Sequence, residues 1–104
     1  MKVVSNNKTE LCVKSLKLMG DFWTLRIIDA LKVGDTRFCE LQRAVGNVNP
    51  VTLTNRLQKL ENSKLIKRKA LLDNISVIYS LTQLGKESLP ILQALNSFAK
   101  KLNK

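Results

Sequence analysis

The dipeptide Asn49-Pro50 restricts the fold more than any other feature of this sequence. Asparagine is a favoured N-cap because its side-chain carbonyl can accept a backbone N–H left open at a helix start. Proline suits the first helical position, where its φ is already helical and no N–H is needed. Leu53, Leu57 and Leu60 follow at i, i+4 and i+7, which predicts a helix over about 50–62 with one apolar stripe. With those leucines inward, a step of about 100° per residue turns Val51, Thr52, Asn55, Gln58 and Lys59 outward and leaves Arg56 on the flank. No carboxylate occurs between Gly46 and Leu60.

The surrounding elements are read from the same kinds of signal. Asn7 and Glu10 have capping-box spacing, and Leu11, Ser15, Leu18 and Phe22 recur helically, so a first helix is predicted near 8–19, ending at Gly20-Asp21. Asp21 is a plausible N-cap for a strongly apolar helix over 22–32, in which Trp23, Ile27, Ala30 and Leu31 share one side and Leu25 and Ile28 lie beside it. Thr36 is expected to cap a short third helix carrying Phe38, Leu41 and Val45, with Gly46-Asn47 as the stop. Beyond the fourth helix, 65–72 and 76–81 are rich in β-formers. Asp73-Asn74 suits a turn between them, which predicts a hairpin. Thr82 caps a last helix whose Leu84, Ser88, Ile91, Leu95, Phe98 and Leu102 step by four and three, a period of about 3.5 residues that usually faces another helix. Pro90 interrupts that run, so a kink or a start near Ser88 is expected. The predicted class is mainly α with a small β-hairpin wing, and the order of elements is that of a single winged helix-turn-helix domain over 1–104.

Composition narrows the function. The 104 residues carry a formal net charge of +10 and no histidine. Arg56, Lys59, Lys64, Lys67, Arg68 and Lys69 are opposed only by Glu61, so half of that charge falls in the fifth of the chain from Asn49 to Lys69. Such a field draws polyanions. Cys12 and Cys39 form no closely spaced pair, the carboxylates are scattered, and the glycines are far apart. Metal, cofactor and catalytic sites therefore have no candidate residues, and the chain is not expected to be an enzyme. The start, Met1 to Glu10, is polar, and no apolar run approaches the ~18 residues that span a bilayer, so a cytoplasmic protein without membrane contact is expected.

On the outward face of the fourth helix, Asn and Gln can pair with adenine, Thr can touch a thymine methyl, and Arg or Lys can meet guanine or phosphate. Double-stranded DNA is therefore the expected partner. A solvated helix face would share this composition, and the concentration of charge favours the DNA reading. The alternatives are an architectural protein that binds any duplex and a winged-helix module that uses the same surface for a protein. A hydrolase ranks last because no nucleophile and base can be named.

Four motifs in order resemble the HxlR-type winged helix-turn-helix regulators over about 11–99. They are Leu16-Lys17-Leu18-Met19-Gly20-Asp21-Phe22-Trp23-Thr24-Leu25, Arg37-Phe38-Cys39-Glu40-Leu41, Asn49-Pro50-Val51-Thr52-Leu53-Thr54-Asn55-Arg56-Leu57 and Tyr79-Ser80-Leu81-Thr82-Gln83-Leu84-Gly85. The resemblance implies a transcriptional regulator that dimerises through its first and last helices and places two recognition helices in successive major grooves. Carried over by position, it implies DNA contacts from Asn49, Val51, Thr52, Asn55, Arg56 and Lys59. It likewise implies a wing over 66–81, and a homodimer seam of Leu11, Ser15, Leu18, Ile91, Leu95, Phe98 and Leu102.

The chain departs from the family pattern in two places. Where the family often has a sensing cysteine, this chain has Glu10. Cys12 lies two residues away on another helical face; two lone cysteines such as Cys12 and Cys39 are more often buried or inert than redox-active, and of the two Cys12, near Lys8 and Lys14, is the better candidate for a redox role. The tip of the hairpin is about one residue shorter than the pattern and lacks its prolines, so Lys67 and Lys69 on the first strand are expected to meet phosphates instead. No cluster of polar residues identifies an effector.

Overall fold

The computed structural model describes residues 7–71 and 76–102, with side chains from residue 13 onward. In chain order it contains α1 (Asn7–Met19), α2 (Phe22–Leu31), β1 (Thr36–Arg37), α3 (Phe38–Ala44), α4 (Pro50–Asn62), β2 (Ile66–Ala70), β3 (Val77–Leu81), α5 (Gln83–Lys86) and α6 (Leu89–Leu102). The side chains of the predicted capping box, Asn7 and Glu10, and the predicted turn at Asp73-Asn74 lie outside what the structure describes.

The helices begin where polar side chains can satisfy open N–H groups. Asp21 accepts from the Thr24 backbone at 2.9 Å, and Asn49 accepts from Val51 at 2.7 Å. α2 is the centre of the core: Ile27, Ile28 and Leu31 are buried with Leu41 of α3 and Val45 just after it, Leu53, Leu57 and Leu60 of α4, and Tyr79 and Leu81 of β3. Trp23, expected in the core, is half-buried against it, with Phe22 edge-on at 4.9 Å between ring centroids. Gly46 (φ 102°) and Asn47 (φ 57°) form the turn between α3 and α4 in the left-handed region. Gln42 Nε2 donates to the Val48 carbonyl across that turn at 2.8 Å, which sets the angle at which α4 leaves.

Three expectations are corrected. Thr36 does not cap the third helix. With Arg37 it forms β1, which pairs antiparallel with Ile78 and Tyr79, and α3 starts one residue later, with Glu40 accepting the Arg37 backbone N–H at 3.2 Å. The wing is therefore part of a three-stranded sheet in the order β1-β3-β2, larger than the predicted hairpin. Thr82 caps the four-residue α5 and not one long last helix. The chain turns at Glu87-Ser88, where Ser88 Oγ donates to the Gly85 carbonyl at 2.6 Å, and α6 starts at Leu89. Pro90 thus occupies the first turn of α6, where a missing N–H costs nothing, so of the two expectations for this proline the helix start near Ser88 is met and the kink is not.

Candidate nucleic-acid interface

The three leucines of α4 are buried while Val51, Thr54, Asn55, Gln58 and Lys59 are exposed, so the helix presents a polar ridge free of carboxylates. Thr54 lies at the edge of the outward arc, and counting positions from the leucines alone left it out. Thr52, placed outward by sequence, is half-buried. Asn49 is exposed, but its side-chain oxygen is engaged in capping α4, which leaves its amide N–H groups for a ligand.

Arg56 is not free. Its Nε donates to Asp21 Oδ2 at 2.8 Å and its Nη2 to Asp21 Oδ1 at 3.2 Å, a bidentate pair whose side chains are 30% and 29% exposed. The same carboxylate caps α2 and accepts from the Thr24 hydroxyl at 3.0 Å. One side chain therefore starts α2 and clamps α4 against it. The Arg56 guanidinium holds the Asp21 carboxyl down from the ordinary 3.8 to about 2, partial burial opposes this, and the Thr24 N–H and hydroxyl add to it.

A pH dependence follows from that shift. Because the folded value is depressed, the pair stabilises the protein fully above about pH 4 and loses this contribution as pH falls from there toward 2. Asp21→Asn keeps an acceptor for the cap and removes the ion pair, at an expected cost of about 1 kcal/mol for a pair at the edge of the solvent. Urea unfolding between pH 5 and pH 2 should show a shallower loss of stability in Asp21→Asn than in the parent; parallel curves would show that the clamp stabilises nothing.

The register of the wing separates its basic residues. Lys67 lies opposite Ser80 and Lys69 opposite Ile78, on the sheet face away from the core. Arg68 lies opposite Tyr79, on the same face as the buried Ile66 and Leu81. α4 packs against β2 from the core side, so Arg68, the exposed middle residue of β2, stands on the side of α4. Lys67 and Lys69, the wing residues expected to meet phosphates, thus lie on the opposite sheet face from Arg68.

The seam on α6 is open. Ile91, Leu95, Phe98 and Leu102 are 45%, 46%, 58% and 67% exposed, while Leu89 and Leu92 on the other side rest against the core. Leu84, grouped with them by spacing, belongs to α5, and Ser88 is buried. On α1, Leu18 packs against the core and Ser15 is exposed; the large apolar side chains left outward are Val13 and Leu16. The side chains of Leu11 and Cys12 lie outside the described residues. Cys39, at the start of α3, is an exposed free thiol. Among the described residues no cluster of three or more possible metal ligands occurs, and no helix is long and apolar enough to cross a membrane.

Comparison with known proteins agrees with this geometry. Residues 18–104 match the model of the HxlR-like helix-turn-helix family. The HTH-type transcriptional regulator YvaP of Bacillus subtilis is 31% identical over 97 residues, covering 89% of this chain and 90% of that protein. A structure from Porphyromonas gingivalis W83, described as a transcriptional regulator of the MarR family, superposes with a TM-score of 0.82 at 31% identity, covering 95% of this chain and 97% of that one. The reduced form of the transcriptional regulator YodB from B. subtilis superposes with a TM-score of 0.77 at 27% identity, covering 94% of each chain.

Proposed function

The chain belongs to the HxlR-like helix-turn-helix family of DNA-binding transcriptional regulators, and from that premise we propose that it binds specific, two-fold symmetric DNA sites as a homodimer. The observation that carries this reading is α4 itself, with three leucines buried and an opposite ridge of Val51, Thr54, Asn55, Gln58 and Lys59 open and unopposed by acid. The ridge mixes base-reading amides and hydroxyls with a cation. Binding to phosphates alone would call for cations and little else. Lys59 and Arg68 supply the phosphate contacts, Asn55 and Gln58 read base edges, and Arg56 acts indirectly by holding α4 against α2. The uncovered α6 seam supports pairing with a second copy. A two-fold pair would set the recognition helices about 34 Å apart, one turn of the duplex.

Selection of genomic fragments against random duplex, with anisotropy titrations of the enriched site, tests this. The site should be a palindrome bound by two chains, with log K falling against log salt at a slope near −5 if roughly six phosphates are neutralised. Asn55→Ala should cost about 1–3 kcal/mol on the site and little on random DNA, whereas Lys59→Ala should weaken both alike. Equal affinity for every duplex would replace specific regulation with an architectural role. No binding at low salt would turn this surface over to a protein partner.

A further inference from the structure

At the base of the wing, where the outer-face residues Lys67 and Ser80 meet the edge of the core at Leu31 and Leu81, lies a cavity of about 320 Å³, within the size range of small-molecule sites. Leu31 from the end of α2, Leu81 from β3 and Leu89 from the start of α6 give it apolar walls. Lys32, Lys67 and Lys86 line it as well, and the Ser80 hydroxyl stands directly across the β2–β3 ladder from Lys67. Lys32 is committed to Asp29 at 2.9 Å, but among the described residues neither Lys67 nor Lys86 has a carboxylate within ion-pair distance. Two lysines outside any ion pair and a serine thus share one cavity with three leucines, an arrangement that suits an anionic head on an apolar body. Asp35 also lines the cavity and lowers its net charge, so a monoanion suits it better than a polyanion such as a nucleotide.

We propose that this cavity binds a small monocarboxylate with an apolar body, the carboxylate held by Lys67 and Lys86 and the body laid on Leu31, Leu81 and Leu89. This assigns Lys67 to a ligand, in place of the DNA phosphate expected from sequence. The walls belong to α2, both strands of the wing and the junction of α5 with α6, so an occupant touches at once the wing and the root of the α6 seam. Its consequence for DNA affinity rests on the function proposed above, through any difference in affinity for the two arrangements of those elements. Binding itself does not, and it is measured without DNA.

The probes are phenylacetate, with 2-phenylethanol and 2-phenylethylammonium as the neutral and cationic counterparts of nearly equal shape. In ¹H–¹⁵N spectra of the full chain, phenylacetate should shift the amides of Lys32, Gly34, Lys67, Ser80 and Leu89 saturably, with a Kd on the order of 1 mM for a ligand of this size. The alcohol should bind about tenfold more weakly and the ammonium not at all. Lys67→Met with Lys86→Met keeps the apolar stems, should leave the fold intact because both side chains are exposed, and should reduce the response to phenylacetate about tenfold. The proposal is overturned by any of three results: no saturable shift, equal shifts from the ammonium, or shifts that survive the double substitution in a variant whose spectrum shows it folded.

Discussion

Gly85→Ala is expected to lower the folding free energy by about 3 kcal/mol, with a loss of soluble protein if the total stability is small. Gly85 is buried in α5, and a β-carbon there would overlap the carbonyl oxygen of Leu65 and sit 3.1 Å from Leu81 Cδ2. Neither neighbour can retreat easily. The Leu65 oxygen accepts from the Thr82 backbone at 3.0 Å, and the Thr82 hydroxyl donates to the neighbouring Lys64 carbonyl at 2.7 Å, with the Leu65 oxygen 3.1 Å away, tying the start of β2 to the start of α5. Thr82 Oγ1 in turn accepts from the Gly85 N–H at 3.0 Å, and Ser88 Oγ donates to the Gly85 carbonyl at 2.6 Å. Moving the glycine outward stretches these bonds together, each worth about 1 kcal/mol, and the remainder is steric overlap. Urea unfolding followed by circular dichroism measures the effect, with Gln83→Ala on the exposed side of α5 expected to stay within about 0.5 kcal/mol of the parent. A Gly85→Ala variant as stable as Gln83→Ala would mean that α5 does not rest on Leu65. The Thr82 to Gly85 spacing in the last of the family-like motifs therefore has a local cause: the threonine caps α5, and the glycine lets it dock.

The second large effect is expected from Leu95→Glu with Phe98→Glu on α6. Phe98 is 58% exposed and Leu95, which borders Phe22 and Leu25 of α2, is 46% exposed, and neither belongs to the buried core, so the protomer's fold should survive. If the seam is covered by a second copy, four carboxylates would be driven into an apolar interface with no partners, and the dimer should dissociate. Binding to a two-fold site would then lose the benefit of a second tethered recognition helix, about 100-fold or more in affinity. Sedimentation equilibrium should report a monomer and anisotropy the loss of affinity. A variant that remains dimeric would move the interface to α1, where Val13 and Leu16 are also open. A monomeric variant that still binds the site at parental affinity would show that one chain is the binding unit.

The structure also changes the interpretation of substitutions at the interface. A loss of binding in Arg56→Ala cannot be assigned to a missing DNA contact, because the same change frees Asp21 and loosens α4 from α2. Asn55 and Lys59 make no such internal bond among the described residues, so their substitutions bear on DNA more directly.

Much of this was legible from the residues. The span of α4 and the three leucines it buries follow from Asn49, Pro50 and a helical period. The Asp21 cap, the apolar α2 and the two wing strands follow from equally local patterns, because backbone capping and side-chain periodicity act over three or four residues. Other features escaped because their causes are distant. A two-residue strand such as β1 has no period to read and exists only because β3 has an edge for Thr36 and Arg37 to pair with. Nothing near Arg56 announces that a carboxylate 35 positions earlier will hold it. The face taken by Lys67 depends on its register opposite Ser80. The sequence by itself determined which segments would be helix or strand and which side of each helix would be apolar, since those choices are settled between near neighbours. Tertiary structure alone decided which cations stayed free for a ligand, which was clamped and which turned toward a cavity, because that depends on the charges and walls that distant segments bring within a few ångströms.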